Sequence, residues 1–159
     1  MATIENAVAN GLLDVYELPD WEVRQPVRTL YVAFELFDWV DSQPMLHDMK
    51  RGIGGRTMFE QLEQMLCDFR CAQSPSAGDL RRMLPTKAGI WKMHPPGLRI
   101  YGWFSSRASF VAVTAALEID TKTDKKLNDK KRDYVRSFIV KNGLQSGVQR
   151  GDFLAIFSS

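Results

Sequence analysis

The segment from Gly89 to Ile119, GIWKMHPPGLRIYGWFSSRASFVAVTAALEI, constrains the fold more than any other part of the chain. β-Branched and aromatic residues crowd it, and two turn signals interrupt it, which predicts three consecutive antiparallel strands. Pro95-Pro96-Gly97 sets the first turn, because proline fixes φ and glycine accepts positive φ. A loop with an even number of residues pairs His94 with Arg99, Lys92 with Tyr101 and Trp91 with Gly102. A second turn over Ser105 to Ala108 pairs Tyr101 with Ala112 and Arg99 with Thr114. Side chains alternate across a sheet with period two. One face should therefore hold Trp91, Met93, Leu98, Ile100, Val111, Val113, Ala115 and Leu117 as a core. The other should hold Lys92, His94, Arg99, Tyr101, Trp103, Phe110 and Thr114. Left open to solvent, that second face suits an RNA backbone and its bases, with Trp103 and Phe110 as stacking platforms. It equally suits an ordinary solvated face.

At 159 residues the chain is long enough for one core and short for two. No long uncharged apolar run occurs, so no transmembrane helix is expected. The leading MATIENAVANGLLDVYELPDW lacks a basic stretch, which argues against a secretory signal and for a cytoplasmic protein. Cys67 and Cys71 stand four apart on a predicted helix, a spacing that does not readily permit a disulfide, so free thiols are expected. Residues 1–48 carry nine acids against only Arg24 and Arg28, whereas the remainder carries 19 basic and 10 acidic side chains. That asymmetry fits a nucleic-acid-facing surface with an acidic flank, and it fits plain charge complementarity within the molecule.

Ahead of the three strands, the pattern predicts a strand over Leu12 to Leu18, ended by Pro19. Pro26 is placed to start a helix reaching about Val40, with Val27, Leu30, Tyr31, Phe34 and Phe37 at helical spacing. Pro44 and Gly52-Ile53-Gly54-Gly55 mark a loop. Thr57-Met58-Phe59-Glu60 has the form of a capping box opening a helix to about Ala72, with a stripe of Met58, Leu62, Met65, Leu66 and Phe69. Ser74 to Gly78 reads as a loop. Beyond the strands, Leu127, Tyr134, Val135, Phe138 and Ile139 recur at helical spacing, and Asn142-Gly143-Leu144 resembles a helix C-cap. Phe153 to Phe157 reads as a closing strand or docking tail. The expected class is α+β: an antiparallel sheet with two or more helices packed on one face and a C-terminal helix.

Several chemistries lack their motifs. His47 and His94 are the only histidines, and neither an HExxH nor a His/Cys cluster is present, so no metal site is expected. The glycine run is followed by Arg56-Thr57 instead of Lys-Ser/Thr, which is not a P-loop. No Gly-x-Ser-x-Gly elbow occurs.

The order strand, two helices, three-stranded meander and final helix is similar to that of the RelE/ParE toxin superfamily, including its HigB and phage-borne members. The likeness rests on Ile90 to Phe104, IWKMHPPGLRIYGWF, and extends over about residues 57–143. The family's first motif, aromatic-Lys-apolar-Lys, is matched by Trp91-Lys92-Met93-His94, with a histidine where the second lysine would stand. Its second motif is approximated by Leu98-Arg99-Ile100-Tyr101, with the tyrosine one position early. The chain exceeds a typical member by its acidic N-terminal region and by a tail after Gly143, still as one domain over 1–159. The resemblance implies an mRNA endoribonuclease that works in the ribosome without metal or cofactor and is restrained by a protein antitoxin. It implies catalytic roles for Lys92, His94, Arg99 and Tyr101. The basic segment after the strands lies where the family places further cationic and aromatic residues, which makes Lys122, Lys126 and Tyr134 candidate RNA contacts. The departures from the pattern keep a second reading open: a phage or mobile-element protein that uses this fold to bind and inhibit a host protein.

Overall fold

A computed structural model describes residues 2–71, 80–85 and 88–144. The loop expected over 74–78 and the closing strand or docking tail expected over 153–157 lie outside the described residues. The described chain is α+β, built on one six-stranded sheet. Its strands are β1 (Leu13–Val15), β2 (Thr29–Ala33), β3 (Leu80–Arg82), β4 (Ile90–Met93), β5 (Leu98–Ser106) and β6 (Ser109–Leu117). They lie in the order β1-β2-β6-β5-β4-β3. All neighbours are antiparallel except β2 and β6, which are parallel. The helices are α1 (Ile4–Ala9), α2 (Phe34–Asp41), α3 (Met58–Cys71), α4 (Glu118–Thr123) and α5 (Leu127–Lys141).

The meander forms as expected, and the first hairpin has the expected register, with Trp91 opposite Gly102 and Lys92 opposite Tyr101. The second hairpin differs. Ser106 pairs with Ser109, which tightens the turn to Arg107 and Ala108, and Ala108 sits at φ 57. Tyr101 therefore meets Thr114 instead of Ala112, and Arg99 meets Ala116 instead of Thr114. A register shift between Tyr101 and Gly102 inserts one residue on β6, and such a bulge reverses the in/out alternation on either side of it. Ala115 joins the core cluster that holds Trp91, Met93, Leu98 and Ile100, as alternation predicts, and Leu117 packs against it. Before the bulge the faces are exchanged: Phe110 joins that cluster, while Val111 and Val113 lie with Tyr101 and Trp103 on the other side.

The larger correction concerns the second face. Instead of being open, it holds a second core of Ile90, Tyr101, Trp103, Val111 and Val113 under Val135 and Ile139 of α5, with Ala7 of α1 at its edge. Helices α2 and α3 cover the opposite face through Leu36, Val40, Leu62, Leu66 and Phe69. A sheet buried on both sides needs apolar residues at consecutive positions. The run Tyr101-Gly102-Trp103-Phe104 supplies them, all buried.

The helix predicted from Pro26 is a second correction. Thr29–Ala33 is a strand between β1 and β6, and helix begins only at Phe34. A short apolar run cannot be separated into strand or helix by periodicity alone. Sheet pairing decides here, because it buries Leu30 and Val32 together in the first core. Strand β3 and helix α4 were not foreseen.

The strand expected over Leu12 to Leu18 is shorter, Leu13–Val15, whereas two predicted helix caps hold. Thr57 Oγ1 accepts from Glu60 N at 3.0 Å, capping α3. At the end of α5, Gly143 has φ 64, its N–H donates to Val140 O, and Leu144 N donates to Ile139 O, the paired bonds of a Schellman cap. Cys67 and Cys71 are free and buried. Among the described residues no helix is long and apolar enough to cross a membrane.

Candidate functional site

The register lines up four polar side chains across the sheet on the α5 side: Arg81 on β3, Lys92 on β4, Tyr101 on β5 and Thr114 on β6. Helix α5 closes over part of this row. Tyr101 Oη donates to Asn128 Oδ1, and Lys131 Nζ donates to Thr114 Oγ1 at 3.4 Å. Farther along α5, the Phe138 ring lies 6.3 Å from that of Trp103. Toward the Pro95-Pro96-Gly97 turn, where the row is not covered in this way, His94, Arg99 and Glu118 complete the group.

Arg99 is held on three sides. Nη1 donates to Leu98 O at 2.7 Å and to Pro95 O at 3.4 Å, and Nη2 pairs with Glu118 Oε1 at 3.0 Å. The same carboxylate oxygen receives Lys122 Nζ at 3.0 Å. The bond to Lys122, with the Arg99 charge beside it, holds the Glu118 carboxyl below its ordinary range. One acid thus serves two cations, and Lys92, Arg81 and Lys131 have no carboxylate within ion-pair distance among the described residues. Burial, then the charges of Arg99 and Arg81, push the Lys92 ammonium below its usual pKa. Burial also lowers that of Lys131.

His94 sits at the centre of this field. Burial first, then Arg99, Lys92 and Arg81, push its pKa down to about 4, opposed only by Glu118. The imidazole is therefore neutral at pH 7. Its Nε2 is enclosed without a hydrogen-bond partner among the described residues, which leaves Nδ1 as the nitrogen that can exchange a proton with an incoming group. The arrangement favours an anion, because half-buried cations in excess of carboxylates are relieved by one.

The other predicted residues fall apart from this cluster. Trp103 and Phe110 are both 0% exposed, and Phe110 packs edge-on against Phe104 in the opposite core, so neither stacks on a base in this fold. Tyr101 is also 0% exposed, and burial lifts its phenol to about 12. It is a poor proton donor or acceptor at neutral pH, and it fastens α5 to the sheet. Tyr134 lies at another part of α5 and donates to Glu35 Oε2 on α2 at 3.2 Å. Lys126 is exposed just before α5, and its backbone N–H is tied to Asp124. Lys122 alone of the basic segment's candidates is joined to the cluster, through Glu118.

Sequence reasoning missed Arg81, Glu118, Asn128 and Lys131 as members. A signal for the first two existed: from Leu80 to Leu117 the chain has six lysines and arginines and no acid, and Glu118 ends that run. Among the described residues no three or more His, Cys, Asp or Glu side chains gather as a metal cluster. Compared with known proteins, the chain matches no family model and no curated sequence.

Proposed function

We propose that this protein is a toxin-like endoribonuclease that cleaves mRNA without a metal, acts on the ribosome in the cytoplasm, and is restrained by a protein antitoxin, as its resemblance to the RelE/HigB group implies. The observation that supports this reading is the neutral, half-buried His94 set among Lys92, Arg99 and Arg81. In the reaction, the ribose 2′-oxygen bonds to the adjacent phosphorus as the phosphorus–O5′ bond breaks. The 2′-hydroxyl proton passes to His94, and the leaving O5′ takes a proton from Lys92, whose lowered pKa makes it the better acid. Arg99, held by Glu118 and two carbonyls, faces the phosphate as a fixed charge. A phosphate entering beside His94 brings negative charge and raises the ring's basicity toward neutrality.

A second reading has its own observation. Tyr101, Trp103 and Phe110 are spent on the core, and Arg99 already has an acidic partner. Both facts fit a fold kept as a scaffold for binding a host protein. One experiment separates the readings. The purified chain is added to a bacterial translation extract, and mRNA ends are mapped for the wild type, Lys92→Gln and His94→Gln. The nuclease reading expects cuts ending in a 2′,3′-cyclic phosphate that both variants reduce at least a hundredfold, the scale typical of general acid–base groups. Intact mRNA, together with a stoichiometric non-ribosomal partner recovered without RNA, would replace it by the binding reading.

A further inference from the structure

We infer that Arg81 binds a second phosphate, so that the site takes a single RNA strand crossing β5, β4 and β3 toward the outer edge of the sheet. The inference rests on the RNA reading above and extends it. Strand β3 is the outermost strand, and it places Arg81 directly opposite Lys92. Cross-strand partners have their Cβ atoms only about 5 Å apart, and like charges so placed repel. The neighbouring residue shows the contrast. Arg82 points to the opposite face, where its guanidinium lies 4.9 Å from the centre of the Trp91 ring. Arg81 is exposed on the His94 side, with no carboxylate in ion-pair distance among the described residues. Its charge nevertheless reaches both Lys92 and His94.

Three cations therefore step outward along the sheet: Arg99 on β5, Lys92 on β4 and Arg81 on β3. A lone phosphate at His94 meets the first two. A strand that continues outward carries its next phosphate to Arg81, and this relieves the Arg81–Lys92 repulsion. Guanidinium suits that place because it stays charged and binds two phosphate oxygens at once. A single strand is favoured over a duplex because α5 and α4 rise beside the row. A flexible strand can follow the sheet past them.

The test uses 2′-O-methyl oligonucleotides, which cannot be cleaved by 2′-oxygen attack, with one, two or three internucleotide phosphates. Binding to the full chain is followed by fluorescence anisotropy from low to high salt. The wild type should bind more tightly with the second phosphate. Arg81→Gln should lose that gain, with a larger fold-loss on the two- and three-phosphate probes than on the one-phosphate probe, which feels Arg81 only through its field on Lys92 and His94. Its log–log salt slope on the longer probes should be smaller by about 0.7, the value for one single-strand phosphate. Arg81→Lys should restore most of the slope. An Arg81→Gln protein with wild-type affinity and slope on every probe would overturn the inference and leave the RNA reading intact. A wild type that binds none of the probes would also overturn the inference, while the RNA reading stands or falls on the mRNA ends mapped in the translation extract.

Discussion

Replacing Gly102 with alanine should destabilise the protein by about 3 kcal/mol, despite adding only one methyl group. Gly102 sits in β5 next to the bulge, pairing with Ala112. A Cβ built there would lie 1.9 Å from the carbonyl oxygen of Val111 and 2.9 Å from two ring atoms of Phe110. A carbon and a carbonyl oxygen tolerate about 3.3 Å, so the two strands would have to part by about 1.4 Å. Val111 is backbone in the middle of the sheet, between β5 and β2, and cannot swing aside as a surface side chain would. Losing two ladder hydrogen bonds costs about 1–3 kcal/mol, and displacing the fully buried Phe110 ring adds an overpacking cost of similar size. Against this, alanine is favoured over glycine in a strand by only about 0.5–1 kcal/mol. The steric cost wins. Urea unfolding followed by tryptophan fluorescence measures the difference, with Trp91 and Trp103 on either side of the site as reporters. A Gly102→Ala midpoint within about 0.5 kcal/mol of wild type would refute the reasoning, because β5 and β6 would then be free to relax.

Two further outcomes follow from the site. Tyr101→Phe should cost about 1 kcal/mol, the usual worth of one hydrogen bond, and leave RNA cleavage near wild type, since the hydroxyl ties α5 to the sheet through Asn128; unchanged stability with abolished cleavage would return Tyr101 to the chemistry. For His94 the folded pKa of about 4 lies below the ordinary 6.5. The unfolded chain then takes up a proton that the folded chain does not. The stability from the neutral ring is fully present above about pH 6.5 and is lost as pH falls toward about 4. His94→Gln should flatten the pH dependence of the urea midpoint in that window, and an unchanged slope would show that the ring is not held neutral.

The meander, its first register, the Thr57 cap and the Gly143 cap were legible in the sequence because each depends on neighbours a few residues away. Turn chemistry at Pro95-Pro96-Gly97 sets Lys92 opposite Tyr101 with no help from the rest of the chain. The N-terminal strand β2 was not legible, since Thr29–Ala33 is a strand only because β1 and β6 flank it. Nor was the bulge, a single residue inserted on β6 between the partners of Tyr101 and Gly102. The site shows the same division. Local alternation grouped Lys92, His94 and Arg99, and they do meet. Whether the aromatic residues beside them faced water or protein depended on α5, which returns from more than twenty residues away to lay Val135, Phe138 and Ile139 over Tyr101 and Trp103. Local spacing determined which side chains share a face on β4 and β5, and the bulge overturned it on β6 for Phe110, Val111 and Val113. Long-range packing decided which faces were buried, since burial is a property of what lies opposite.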